Sequence, residues 1–236
     1  MTTYMSQARA ALAGKPTTGP DANVWARLGY WAAVSMVQVL VVEFIVSATW
    51  RGLYSYRNNF ISELGVAFCG PTGNWPCSKL YVLMNVSITV LGISMVLAAF
   101  AWMATGLLDP RGGVLLTIAG GGASVAGVFN QGLNYPIHSF GATLLFVVGS
   151  LALVVAGGHH TLRRSVRITV TTLGTVGMSA ALFFIGGHNF GLGIGVIERI
   201  SVYSVIAGCI VLAVAHRSTA RRVKALADAS HQDGVQ

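Results

Sequence analysis

Six predominantly apolar runs, most of them close to the length that crosses a bilayer, constrain this chain more than anything else in it. They cover residues 28–49, 80–104, 114–129, 137–156, 168–186 and 196–215. A hydrocarbon core of about 30 Å takes about 20 helical residues. No water reaches that core to satisfy a backbone N–H or C=O, so each run must close its hydrogen bonds within a helix. Charged residues make up 9% of the chain, against about 25% in a soluble domain, too few to coat a water-facing surface. The expectation is an all-α, polytopic bundle of six transmembrane helices over residues 24–216. A mobile polar tail over 1–23 would precede it, and a basic tail over 217–236 would follow.

A net charge of +8 could point to nucleic acid, but the basic residues sit in short segments between apolar runs. No aromatic-and-basic stripe accompanies them, so no nucleic-acid partner is expected. Eleven of the fifteen basic residues fall in the two tails and in the second–third and fourth–fifth connections; only Arg51, Arg57, Lys79 and Arg199 fall on the other side. The positive-inside rule then puts both termini in the cytoplasm of a cell-membrane protein. The third run is short and rich in glycine (Gly120, Gly121, Gly122, Gly127). Small residues let helix backbones approach closely in lipid, which places this helix inside the bundle.

Cys69 and Cys77 flank a turn-rich stretch in the loop over 50–79. Charge places that loop outside, on the oxidising side, so the pair suggests a disulfide closing a small loop. Cys209 falls within the last run and reads as a small buried apolar residue.

Polar chemistry collects toward the same outer side. Glu43 lies inside the first run, where a carboxylate costs about 3 kcal/mol or more unless paired, protonated or hydrated. It reads either as a proton-bearing or cation-pairing group lining a cavity, or as a protonated side chain stapling two helices. The loop after the first run, residues 54–65, mixes Tyr, Arg57, Asn59, Ser62 and Glu63. It suits a loop folded back on the bundle, or an interfacial loop held by its aromatics. The third run ends near Asn130, and Pro136 opens the fourth, which sets His138 in that helix's first turn. That ring can be base, hydrogen-bond partner or ligand, or simply structural. His188 lies in a glycine-rich connection leading to Glu198 and Arg199, with Tyr203 just beyond. Glutamate near a helix N-terminus is favourable, and Arg199 could neutralise a carboxylate or grip an anion.

Jointly, Glu63, His138, His188, Glu198 and Arg199 reach the outer face from four connections and define a candidate polar pocket. No HExxH or CxxC pattern supports a metal among them, and no cofactor is expected. Ser62 with His138 and a glutamate could form a hydrolase triad, but no nucleophile-elbow motif accompanies it.

Three segments together carry a resemblance: residues 59–65 (NFISELG), 134–142 (NYPIHSFGA) and 193–201 (GIGVIERIS). They resemble a prokaryotic multi-pass membrane family of unknown function, itself distantly similar to the Frag1/DRAM/Sfk1 membrane proteins. The resemblance implies six helices and a polar outer site at Ser62, Glu63, His138, Glu198 and Arg199. Relatives linked to lipid and GPI-anchor remodelling make a lipid role the analogy.

The first functional expectation is therefore handling of a lipid or lipid-linked anion at an outward pocket. Glu63, His138 and Glu198 would do acid–base work there, with Ser62, Asn59, Asn130, Arg199, His188 and Tyr203 binding the substrate. Two alternatives stand beside it: a proton-coupled transporter with Glu43 as carrier, and a non-catalytic subunit of a membrane complex.

Overall fold

The computed structural model describes residues 20–70 and 72–233. Of the tail expected over 1–23, residues 1–19 lie outside the described residues. Six helical spans follow, long and apolar enough to cross a membrane. The first is broken into α1 (Pro20–Ser35) and α2 (Gln38–Ser47). The second is α3 (Tyr81–Ala104) and the third α4 (Pro110–Val128). The fourth joins α5 (Tyr135–Thr143) to α6 (Gly149–Gly157) through one π-helical stretch, Leu144–Val148. The fifth is α7 (Arg164–Ile185), and the sixth opens α8 (Ile194–Asp233), which runs on into the stretch assigned above to a basic tail.

Local chemistry sets several of these boundaries. Asp109 accepts from the Gly112 N–H at 2.8 Å with Pro110 at the first helical position, so α4 starts four residues before its apolar run. Asn134 does the same for α5, accepting from Ile137 N–H at 3.1 Å. The break in the first span is a tightened turn, with Met36 and Val37 donating to Ala33 and Val34 three residues back. Just past it the Gln38 amide is satisfied by Ser87 of α3, through a 2.8 Å bond to its carbonyl and a 2.7 Å bond from its hydroxyl. Ser35 and Ser94 meet at 2.7 Å one turn away. Polar side chains thus bind the first two spans where lipid offers no alternative partner.

Glycine does the corresponding work around α4. A Cβ added at Gly120 would overlap the Gly92 carbonyl of α3, and one at Gly122 would meet the Gly141 carbonyl of α5. Gly121 faces open space. The third span packs backbone against the helices on both sides, but Val114, Ile118 and Val128 remain exposed, so it is not enclosed by the bundle as its composition suggested; the sixth span is the most buried. Outward faces carry Phe44, Val86, Ile93 and Leu182, as contact with lipid requires.

An even number of crossings returns the chain to its starting side. One face therefore holds both ends of the bundle and the 105–109 and 158–163 connections. The other, here the disulfide face, holds the 48–80, 129–134 and 186–193 connections. On it β1 (Phe68–Cys69) pairs antiparallel with β2 (Trp75–Pro76), and the Cys69–Cys77 disulfide closes the hairpin. Arg51 N–H donates to the Cys77 carbonyl at 2.8 Å, tying the hairpin to the end of the first span.

Candidate functional site

The disulfide face is organised around two neighbours in sequence, Glu198 and Arg199, in the second turn of the sixth span. Both are buried. Burial of two charges is tolerable only when their polar atoms find partners, and here both residues find partners in the loop over 54–65. Glu198 accepts from the Ile61 N–H at 2.5 Å. Arg199 sends Nη1 to the carbonyls of Tyr56 and Asn59, both at 2.8 Å, and to Gly195 at 2.9 Å. Its Nη2 donates to the Tyr54 hydroxyl at 2.5 Å, and its Nε to Glu43 Oε1 at 2.8 Å. The acid thus takes the loop's N–H and the base takes its C=O groups.

The loop is shaped to fit. Glu63 accepts from Asn59 Nδ2 at 2.8 Å and from Phe60 N–H at 3.1 Å, which opens the 3-10 turn Ser62–Gly65. Tyr54 passes its own proton to the Phe60 carbonyl at 2.8 Å. Burial pushes the Tyr54 phenol above its ordinary value, and the Arg199 guanidinium partly opposes that shift. Gly193 holds φ +100, and a side chain there would overlap Arg57. Gly195 N–H then donates to the Arg57 carbonyl at 3.0 Å. Glycine is needed at both positions because loop and helix backbone touch.

Glu43 closes the arrangement from below. It is 2% exposed, forms the one ion pair among the described residues, and accepts a second bond from the Tyr203 hydroxyl. The guanidinium also lies over the Tyr56 ring, 4.9 Å from its centroid. First span, loop and sixth span are thereby fastened together as a clamp.

The other candidates are placed apart from it. His138 is buried, and its Nδ1 donates to the carbonyls of Ala126 at 2.9 Å and Phe129 at 3.1 Å. It therefore caps the end of α4. Ser62 donates to Gln131 Oε1 at 2.9 Å, not to His138. Asn130 accepts from the N–H groups of Gly132 and Leu133 and so shapes the turn between α4 and α5. His188 is exposed beside Phe190. Among the described residues, no hydrogen bond joins any two of Glu63, His138 and Glu198, and no three His, Cys, Asp or Glu gather as a metal ion would need. The arrangement brings together Glu43, Asn59, Glu63, Glu198, Arg199 and Tyr203. Tyr54, Tyr56 and Gln131 complete it. Sequence reasoning did not single these three out, although two tyrosines flanking a serine beside Arg57 were a signal.

Beside the clamp a groove of about 480 Å³ opens laterally between the fifth and sixth spans. Val196, Arg199, Ile200, Tyr203 and Ala207 form one stripe of α8 along it, at three- and four-residue spacing. Leu173 of α7 forms the facing wall, and Tyr56 reaches it from the loop.

These features define a six-helix, multi-pass membrane-type protein whose re-entering loop is clamped by a buried ion pair. The chain belongs to the family described as protein of unknown function DUF998, which matches it over residues 32–215. No curated protein and no solved structure matches it. The matched region contains all three segments on which the resemblance rested, and two of them, 59–65 and 193–201, face each other in the clamp.

Proposed function

We propose that the protein binds a membrane lipid in this lateral groove, at the extracytoplasmic side of a cell membrane, with the clamp forming the groove's polar end. The observation that carries the reading is the groove's composition. Apolar side chains line it along the helices, and Tyr56, Arg199 and Tyr203 meet it at the clamp. From Val196 to Ala207 it follows the helix for about 16 Å, about the depth of one leaflet. The charge bias of the connections supports the assignment of the disulfide face to the outside. The resemblance to the Frag1/DRAM/Sfk1 proteins would imply a lipid role as well.

The ion pair narrows the ligand. Arg199 is compensated by Glu43, so the groove offers little net charge and does not favour anions over zwitterionic lipids. The same pair argues against Glu43 as a proton carrier. Its carboxylate is already committed to the Arg199 guanidinium and the Tyr203 hydroxyl.

Native mass spectrometry of the full chain, extracted in mild detergent, tests the reading. Wild type and the lipid-facing control Val86→Trp should retain a bound lipid, whereas Leu173→Trp and Ala207→Trp, which fill the groove, should lose it. Equal lipid retention by all four proteins would refute the proposal.

A further inference from the structure

On the face opposite the disulfide, a second cavity of about 570 Å³ lies where three elements meet. These are the second–third turn, the fourth–fifth connection and the end of the sixth span. Leu107, Leu162, Val211 and Val214 give it apolar walls, while Thr161, Arg163, Ser165 and His216 bring polar groups. Among the described residues, no carboxylate lines it.

Three features of this cavity have no partner among the described residues. His216 Nε2 is a buried atom with no hydrogen bond among the described residues. Such atoms are rare in native proteins and mark the place of a water, ion or ligand. Arg163 is exposed and forms no ion pair among the described residues. The fifth helix begins at Arg164 without a side-chain cap, and two residues of its first turn, Ser165 and Val166, line the cavity. Their backbone N–H groups have no intrahelical acceptor.

We infer that this cavity binds a phosphate group. Arg163, His216 and the first-turn amides of α7 would hold its oxygens, while Leu107, Val211 and Val214 would take the hydrocarbon of a phospholipid. The ligand chemistry is a phosphate anion, carried by a lipid or free in solution. The inference is independent of the groove on the other face, because it rests on different residues and elements.

Nuclear magnetic resonance of the full chain with 15N-labelled histidine, in neutral detergent, tests it. The His216 ring signal is identified by its loss in His216→Gln. Titrations use inorganic phosphate, dihexanoylphosphatidic acid and dihexanoylphosphatidylcholine as separate probes. A saturable shift with phosphatidic acid alone assigns a phospholipid, and one with inorganic phosphate assigns the free anion as sufficient. In either case Arg163→Gln should weaken binding about tenfold, the loss of one hydrogen bond to a charged group. Val214→Trp, at an exposed position, should fill the cavity and abolish the shift. No shift with either anion would overturn the inference. So would equal shifts with phosphatidylcholine, or shifts unchanged in Arg163→Gln.

Discussion

Arg199 and Glu43, 156 residues apart in the chain, form a buried ion pair in which Nε and Nη2 both lie 2.8 Å from the same carboxylate oxygen. Through it the first span, the loop over 54–65 and the sixth span behave as one unit. Breaking such a pair from one side leaves an uncompensated charge. Glu43→Gln should therefore destabilise the protein by about 3–5 kcal/mol. In Glu43→Met with Arg199→Met, the joint loss should be smaller than the sum of the single losses, because each single change exposes the other partner. Unfolding titrations in mixed micelles measure both; strict additivity would contradict the pairing.

Adjacent glycines in α4 should respond oppositely. Gly120 backs onto the Gly92 carbonyl, while Gly121 meets nothing within 4 Å. Gly120→Ala should cost about 1–3 kcal/mol through overpacking. Gly121→Ala should be neutral, or stabilising by up to about 1 kcal/mol from the better helix former. Thermal unfolding of the two variants side by side decides this, and equal losses would contradict the packing.

The Cys69–Cys77 disulfide closes a short hairpin with a sequence separation of 8. Loop-closure entropy for so short a ring is worth about 2–3 kcal/mol. Cys69→Ser should lower stability by that amount, and a reductant should do the same to the wild type but not to the variant. After reduction of intact cells, a membrane-impermeant maleimide should label Cys69, the more exposed of the two cysteines. Labelling only after lysis would reverse the proposed orientation.

Tyr54 sets an alkaline limit. Its phenol is raised above the ordinary value of 10 in the folded protein, chiefly by burial. The unfolded chain would then ionise first, so this residue's contribution to stability is constant below about pH 10 and is lost above it. Between pH 9 and 11.5, wild type should lose more stability than Tyr54→Phe. Parallel curves would show that Tyr54 is not buried as described.

The six spans were legible in the sequence because a membrane leaves a chain few choices. Apolar length alone located them and Pro136 refined one start, whereas the cap at Asp109 and Pro110, which carries α4 four residues further back, went unread. The disulfide was legible too, from two cysteines around a turn. The interior of the site was not. Glu43 stood out as costly in lipid, and Glu198 and Arg199 as a charged pair near a helix start, yet nothing in their spacing showed that Arg199 would turn to Glu43. Most of the clamp's bonds end on backbone atoms of Tyr56, Asn59, Phe60 and Ile61, and backbone partners leave no side-chain pattern to read. The place of His138 in a first turn is visible in the sequence and leaves a pocket role and a structural one open, whereas the carbonyls of Ala126 and Phe129 that it caps are not visible there. The π-helical stretch Leu144–Val148 carries no sequence signal that we can identify.

Amide hydrogen exchange of the loop over 54–65 tests the clamp most directly. In wild type the Ile61 amide, bonded to Glu198, should exchange slowly along with the sixth span. Glu198→Ala should speed exchange at Ile61 by about tenfold or more, the loss of one charged hydrogen bond, while amides of α3 and α4 keep their wild-type rates. Fast exchange over 54–65 in the wild type, or no change at Ile61 in the variant, would contradict a loop held by Glu198 and Arg199.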